Sequence, residues 1–319
     1  MSARCVALSG GVGGAKLARG LQQVVPGDDL AIVVNTGDDF RHLGLAICPD
    51  LDTLLYTLAD VVNLETGWGR RDEGWHCMEA LAELGGDTWF RLGDRDLATH
   101  LRRTARLAEG ATLTAVTAEL CAAFGVKARV LPASDDRIAT RVHTDAGVLP
   151  FQEYFVRQRA EPRLRAVEFD GASAARPSRE VLAALQEDSL GAILVAPSNP
   201  YLSIDPLLAI PGLTTALRAA TAPVVAISPI VGGRALKGPT AKIMTELGLT
   251  ASALTVARHY QPWIDGFILD TVDKDMRADV EALGIAVHCC NTIMKTLEDR
   301  IELAQMALAF ARDCRKRPQ

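Results

Sequence analysis

The sequence of 319 residues lacks several features that point to particular classes of protein. No apolar run reaches the ~18 residues that a membrane-spanning helix needs. Acidic residues outnumber basic ones, 39 against 34, and the resulting net charge of -5 argues against a surface for nucleic acid or an anionic membrane. We therefore expect no nucleic-acid partner and no membrane partner.

The sequence also lacks a cysteine pattern that would predict a metal site or a catalytic thiol. The seven cysteines are scattered and lack the spacing of a metal site. No Ser-His-Asp or Cys-His arrangement stands out, so no covalent nucleophile is predicted. The N-terminus carries no signal-peptide pattern. We expect reduced thiols and a cytoplasmic protein.

What the sequence does contain is a strand-helix-strand unit at its start. "RCVALS" (4–9) and "LAIVVNT" (30–36) are predicted as buried strands, and an amphipathic helix is predicted between them over 15–25. Apolar runs of strand length return later, at 191–197, 222–230, 266–270 and 284–291, and a closing helix is predicted over 296–312. This order predicts an α/β fold with a Rossmann-like, doubly wound, mostly parallel sheet.

The middle of the chain has a different pattern. Residues 52–124 are predicted as a run of helices, and residues 127–169 as short strands, with "VLPFQEYFV" (148–156) and "LRAVEF" (164–169) the clearest. We therefore predict a single large domain over 1–319. Its core comprises 1–50 and 185–319, and a helical and β insertion comprises 51–184.

The first strand runs into a glycine-rich stretch, "LSGGVGGAK" (8–16), whose candidate phosphate-binding residues are Gly11, Gly13, Gly14 and Lys16. It is not a Walker A loop, because Leu17 stands where a Ser or Thr is needed, nor a dinucleotide fingerprint, because Lys16 replaces the third glycine. Glycines still allow close backbone approach, and a helix N-terminus offers unpaired N–H groups to an anion. The alternative is a tight turn with nothing bound.

Carboxylates follow the second predicted strand. "NTGDD" (35–39) begins with Asn35 and ends with Asp38 and Asp39, and "CPDLDT" (48–53) adds Asp50 and Asp52. The carboxyl ends of parallel strands form the ligand crevice, so these groups are predicted beside the glycine stretch. Carboxylates beside phosphate call for a cation, which predicts Mg²⁺. The alternatives are that Asp52 caps a helix and that Asp38 binds a ribose.

Three further stretches add candidates. "APSNP" (196–200) places Ser198 and Asn199 after a strand, and "SPIVGGRALKGP" (228–239) offers Lys237 and Gly238 as a second anion-binding loop. "WFRLGDRDLATH" (89–100) contains Arg91 in a charge run that is also typical of a solvated helix cap.

Together these blocks resemble one family, the 2-phospho-L-lactate transferases (CofD-like) of coenzyme F-420 biosynthesis. The resemblance covers nearly the whole chain in order and rests on "LSGGVGGAKLARGL", "VNTGDD", "CPDLDTLLYTL", "GWG", "RLGDRDLATH", "LPASDD", "FQEYFV", "APSNP", "SPIVGG" and "LKGP". One departure is the Thr-Gly-Asp-Asp of 36–39, where archaeal members have Thr-Ala-Glu-Asp. The shorter Asp38 keeps the charge and reduces the reach.

The resemblance implies a magnesium-dependent transferase. Its substrates are the deazaflavin Fo and a guanosine diphosphate ester of a small phospho-acid, and the ribityl hydroxyl of Fo attacks while GMP leaves. The acid is phospholactate, phosphoenolpyruvate or 3-phosphoglycerate. An upstream guanylyltransferase is the expected functional partner, and a homodimer is the expected assembly.

The resemblance also implies roles for individual residues. Asp38 and Asp50 bear on the metal and on catalysis, and Asp52 and Arg91 face Fo. The glycine stretch holds phosphate, and Ser198 and Asn199 hold the guanosine side.

Two other classes remain as alternatives. One is a nucleotide-sugar-binding regulatory protein of the gluconeogenesis-factor type, which shares the glycine stretch but releases no GMP. The other is a nicotinamide-dependent dehydrogenase, which needs a third glycine that this chain lacks.

Overall fold

The structure, a computed structural model, describes residues 4–235, 238–314 and 316. The strands are β1 (Arg4–Ser9), β2 (Leu30–Val34), β3 (Phe40–His42), β4 (Leu45–Ile47), β5 (Arg129–Pro132), β6 (Ala139–Thr144), β7 (Gly147–Pro150), β8 (Leu164–Asp170), β9 (Leu190–Val195), β10 (Val224–Ile227), β11 (Ile230–Val231), β12 (Arg234–Ala235), β13 (Gly266–Asp270) and β14 (Ala286–Cys290).

The α-helices are α1 (Gly11–Val24), α2 (Pro49–Leu58), α3 (His76–Glu83), α4 (Asp94–Ala108), α5 (Leu113–Ala123), α6 (Arg179–Leu185), α7 (Asp205–Leu208), α8 (Pro211–Ala219), α9 (Thr240–Glu246), α10 (Ala253–Tyr260), α11 (Arg277–Glu281) and α12 (Leu297–Asp313). Short 3₁₀ or π turns occupy Gly27–Asp29, Glu153–Arg157, Pro200–Ile204 and Thr271–Met276. Within the described ranges, no helix is both long enough and apolar enough to cross a membrane.

Seven strands form the central sheet, in the order β14-β13-β10-β9-β1-β2-β5, and every neighbouring pair is parallel. Side chains alternate across it: Val6 and Leu8 face one apolar core, and Cys5 and Ala7 face the other. Helices α1, α2, α5 and α12 cover the second face, and α6, α8, α9 and α10 cover the first. This confirms the predicted α/β fold with a doubly wound, mostly parallel sheet.

The chain order of the sheet reverses at β1. From β1 the chain continues to β2 on one side, and β9, β10, β13 and β14 extend the sheet on the other. Such a switch point opens a crevice at the carboxyl ends of the strands on either side of it. The loops after β1 and β9 therefore face each other across this crevice.

Three local predictions need correction. The first helix begins at Gly11 rather than at residue 15, so the glycines form its first turn. The segment 148–156 is not one strand: β7 ends at Pro150, and a helical turn follows in which Phe151 and Tyr154 are both buried at helical spacing. Strand β5, which falls inside the range predicted as an insertion, pairs with β2 in the central sheet.

Candidate active site

A cavity of about 630 Å³ lies at the switch point, and its walls come from segments throughout the chain. The predicted site residues that line it are Gly11, Gly13, Lys16, Asp38, Asp50, Asp52, Arg91, Ser198, Asn199 and Gly238. Three other predicted residues, Gly14, Asn35 and Asp39, are not among the residues that line the cavity. Lys237 lies outside the described residues.

The glycine stretch is shaped by close packing as well as by the cavity. A Cβ on Gly13 would lie 2.3 Å from the Pro197 carbonyl oxygen, and one on Gly14 would lie 2.2 Å from Ser9 Oγ. Gly11, at φ +62°, starts the helix in the left-handed region. The alternative reading of a tight turn is therefore part of the explanation, because the helix start must fit against the loop after β9.

Asp50 joins the helix start to the acidic side of the cavity. Its Oδ1 accepts from the Gly11 N–H (2.8 Å), and its Oδ2 accepts from Asn35 Nδ2 (3.0 Å). Burial raises the pKa of Asp50 to about 6, against the lowering effect of these two hydrogen bonds. Asn35 thus acts from behind the cavity wall, since its amide holds Asp50 and its oxygen accepts from the Gly37 N–H (2.8 Å).

Asp38 is the second buried carboxylate of this wall. Burial, followed by the nearby charges of Asp50 and Asp39, raises its pKa well above the ordinary range. Its Oδ1 is buried and has no hydrogen-bond partner within the described part of the chain. A buried carboxylate oxygen without a donor is costly, so this atom is suited to a cation or a ligand proton.

The acidic residues do not form a complete metal cage. Among the described residues, no group of three or more His, Cys, Asp or Glu side chains is placed to hold a metal ion. Asp39 is not among the residues that line the cavity, and Asp52 is held by Arg103. Of the four carboxylates predicted in this part of the chain, Asp38 and Asp50 are the two that line the cavity without an arginine partner.

Asp52 is not a helix cap, which corrects one alternative. It lies within α2, whose N-cap is Cys48, and both of its oxygens accept from the Arg103 guanidinium, with Nη1 3.1 Å from Oδ2 and Nη2 bonded to Oδ1. Arg103 is 1% exposed, and no motif in the sequence marks it as a site residue.

The loop after β9 is fixed by its own polar groups. Ser198 Oγ donates to the Gly10 carbonyl oxygen (2.7 Å) and accepts from the Gly10 N–H (3.2 Å). Asn199 Oδ1 accepts from the N–H groups of Tyr201 (3.0 Å) and Leu202 (3.2 Å). The Asn199 oxygen is therefore occupied as a cap, and its Nδ2 is the part of the amide suited to a ligand.

Basic side chains stand on other parts of the wall. Lys16 Nζ donates to the Met294 carbonyl oxygen (3.0 Å), which joins α1 to the segment before α12. Lys295 follows Met294 and also lines the cavity. Arg91 is exposed and lies over the Trp75 ring, 4.1 Å from its centroid. The cavity lining thus contains basic as well as acidic side chains.

Sequence reasoning missed several lining residues. The principal ones are Tyr56, Trp68, Phe90, Asp96, His100, Phe151, Phe155, Ser203, Thr292 and Lys295. Asp96 and His100, with Arg103 behind them, recur at i, i+4 and i+7 of α4, a helical spacing that marks one face. That spacing was the available signal, and it lies in the charge run for which a solvated helix cap is the alternative. The aromatic residues gave no such signal, because they come from separate parts of the chain: Tyr56 lies in α2, Trp68 and Phe90 lie in loops, and Phe151 and Phe155 lie in the turn after β7.

The fold and the site define a class: an α/β protein with a ligand cavity at the switch point of a doubly wound parallel sheet. A family model described as 2-phospho-L-lactate transferase CofD matches residues 5–297. The chain belongs to this family, and it is a transferase of coenzyme F-420 biosynthesis.

Individual relatives agree with the family match. A phosphoenolpyruvate transferase from Kitasatospora aureofaciens is 45% identical, covering 98% of this chain and 99% of the relative. A 2-phospho-L-lactate transferase from Methanosarcina mazei is 38% identical, covering 95% and 99%. A solved UPF0052-family protein from Bacillus halodurans has a TM-score of 0.62 at 18% identity, covering 97% of this chain and 99% of that one, and this likeness concerns the fold alone.

Proposed function

We propose that this protein transfers a small phospho-acid from its guanosine diphosphate ester to the ribityl hydroxyl of Fo and releases GMP. The observation that carries the proposal is the cavity at the switch point, where a glycine-rich helix start meets the buried carboxylates of Asp38 and Asp50. Family membership supplies the reaction class, and the cavity supplies groups of the right chemistry for a nucleotide diphosphate.

The reaction needs positioning and charge neutralisation rather than a covalent nucleophile. The Fo hydroxyl oxygen forms a bond to the phosphorus that carries the acid. The bond from that phosphorus to the bridging oxygen breaks, and GMP leaves with that oxygen while the hydroxyl proton is lost. Gly11 and Gly13 allow backbone approach to the phosphates, and Lys16 adds a positive charge on the same side.

Mg²⁺ is the cation that this proposal requires. Proteins usually hold it with one or two carboxylates and leave the remaining positions to water and substrate phosphate. Asp38 and Asp50 fit that arrangement, since both lie in the wall and Asp38 Oδ1 is buried without a partner among the described residues. When bound, Mg²⁺ would neutralise phosphate charge.

The small acid is proposed from the relatives. Phosphoenolpyruvate transferases at 45% and 42% identity stand above the 2-phospho-L-lactate transferase at 38%. We therefore favour the phosphoenolpyruvate ester as donor, supplied by an upstream guanylyltransferase. A homodimer is proposed on family grounds, and sedimentation of the purified protein tests it.

The decisive experiment supplies phosphoenolpyruvate, 2-phospho-L-lactate or 3-phosphoglycerate, each with GTP, the guanylyltransferase, Fo and Mg²⁺. We expect a product mass equal to Fo plus the phosphoenolpyruvate group, with one GMP released per product. Exclusive use of another acid would change the donor and leave the reaction class standing. Tight nucleotide binding with no GMP from any acid would favour the regulatory binding protein instead.

A further inference from the structure

The interface between α2 and α4 contains a buried polar network directly behind one wall of the cavity. Asp52 and Tyr56 come from α2, and Asp96, His100 and Arg103 come from α4. All of them except Arg103 line the cavity, and Arg103 lies behind Asp52. The network therefore connects the insertion helix α4 to the site.

Arg103 holds the Asp52 carboxylate at two points. Its Nη1 and Nη2 donate to Oδ2 and Oδ1, and Nη1 also lies 3.3 Å from the Ala46 carbonyl oxygen. A planar guanidinium that bonds both oxygens fixes the plane of the carboxylate as well as its position. Lysine has the same charge but lacks this fork.

The remaining members hold Arg103 and each other. Nη1 of Arg103 lies 3.2 Å from His100 Nδ1, so this ring nitrogen faces a donor and takes the acceptor role. His100 Nε2 lies 3.3 Å from Asp96 Oδ1, and the Tyr56 hydroxyl donates to the same oxygen at 2.6 Å. His100 and Tyr56 thus direct their polar atoms into the network.

A buried ion pair of this kind contributes little to stability, because desolvation of both charges offsets their attraction. Its effect on the cavity is more specific. An ionised carboxylate offers about four acceptor positions, and Arg103 occupies one on each oxygen. Asp52 itself lines the cavity, so the acceptor capacity that is left suits a ligand hydroxyl or N–H and disfavours an anion.

We propose that Arg103 is a positioning residue, which orients Asp52 to accept a hydrogen bond from a donor group of the acceptor substrate. The inference rests on the proposed function, in which that substrate is Fo. Arg103 also offsets the charge of Asp52 through its two hydrogen bonds to that carboxylate. The donor ester, which presents anions, gains nothing from Asp52.

The test compares Arg103→Lys, Arg103→Gln, Asp52→Asn and the double variant Asp52→Asn/Arg103→Gln. The matched control is Arg106→Lys, one turn along the same helix. Arg106 Nε and Nη2 lie 3.0 and 2.8 Å from the carboxylate oxygens of Glu119, and neither residue lines the cavity. Each variant is assayed for KM and kcat with both substrates, for Fo affinity by calorimetry, and for folding by urea denaturation.

We expect Arg103→Lys to raise the KM for Fo and its dissociation constant about tenfold, the order expected for one hydrogen bond to a charged group. The KM for the donor should change less than twofold, and Arg106→Lys should match the wild type. In the Asp52→Asn background, Arg103→Gln should add nothing further to the loss of Fo affinity.

Three results would overturn the inference. One is an Arg103→Lys enzyme with unchanged Fo affinity; another is an equal rise in both KM values, which marks a general structural role. The third is a full additional loss from Arg103→Gln when Asp52 is already Asn, since Arg103 would then act independently of Asp52. A wild-type protein that neither binds nor converts Fo overturns the proposed function and this inference together.

Discussion

Asp50 is the residue at which the glycine turn and the acidic wall meet. One carboxylate oxygen accepts from the first N–H of α1, and the other accepts from the Asn35 amide. A carboxylate therefore already occupies a helix N-terminal N–H that an incoming phosphate would also seek. Substrate and metal would have to redistribute these contacts, which makes Asp50 the most informative position to change.

Asp50→Asn should fold, with some loss of stability because its amide group would face Asn35 Nδ2, and should lose most of its activity. Asparagine keeps an oxygen for the Gly11 N–H but removes the negative charge, and the loss of such electrostatic groups typically costs ~10²–10³ in rate. The measurement is kcat across a magnesium titration. Asp60→Asn is the control, since Asp60 is an exposed carboxylate with one weak contact to Arg19 at 3.7 Å. Unchanged turnover at every magnesium concentration would remove Asp50 from the proposed metal site.

The raised pKa of Asp50 also predicts how stability depends on pH without metal. The folded state holds this proton up to about pH 6, whereas the unfolded chain releases it near the ordinary value of 3.8. Between these values the folded state binds more protons, so the free energy of unfolding should fall as pH rises through that window. Urea denaturation with a chelator at pH 4.5 and pH 7 measures this fall, and Asp50→Asn should reduce it. A rise with pH that is equal in both proteins would contradict the assignment.

The start of α1 and the loop after β9 form the element on which the site depends. Gly13→Ala should destabilise the protein by ~1–3 kcal/mol, because the new methyl group would meet the Pro197 carbonyl oxygen and the backbone would have to move. Urea denaturation measures the cost. Val12→Ala, at the preceding and partly exposed position, should cost less than ~1 kcal/mol. Equal costs would show that the close approach is easily relieved.

Asn199 has a structural role that can be separated from a binding role. Asn199→Ser keeps an oxygen for the cap of the following turn but loses the amide N–H groups, whereas Asn199→Ala loses both. Alanine should cost about 1 kcal/mol of stability, and serine much less. Both should raise the donor KM if the amide contacts the guanosine side. Serine kinetics identical to the wild type would leave Asn199 as a cap alone.

At the scale of strands and helices, the sequence predicted the parallel sheet well, because its strands are apolar runs that end at polar residues or prolines. It predicted Asp38 and Asp50 near the carboxyl ends of parallel strands, and both line the cavity there. It could not predict Arg103, whose partner Asp52 lies on another helix, or the end of β7 at Pro150. Contacts between distant segments have no local sequence pattern. In "VLPFQEYFV" the first half fits the periodicity of a strand and the second half fits that of a helix.

For the whole molecule, the cavity draws on residues from Gly10 to Lys295. A ligand that binds there should therefore stabilise the entire fold against unfolding. GDP with Mg²⁺ at 100 times its dissociation constant should add about 2.7 kcal/mol to the free energy of unfolding. Thermal denaturation with GDP, with and without Mg²⁺, checks this, and Asp50→Asn should lose the magnesium-dependent part. If GDP stabilises the protein equally with and without Mg²⁺, and equally in Asp50→Asn, the nucleotide binds elsewhere.

The position of β1 in the sheet has a consequence during protein synthesis. β1 lies between β2, which soon follows it, and β9, which begins at residue 190. At roughly 5–20 residues per second, the ribosome needs about 10–40 s after making β1 to supply that second partner. Until then the growing chain exposes an apolar strand with an unpaired edge, which is a hazard for aggregation. The glycine turn also cannot pack against Pro197 until that residue has been synthesised. The first part of the site to be translated is therefore among the last to take its final shape.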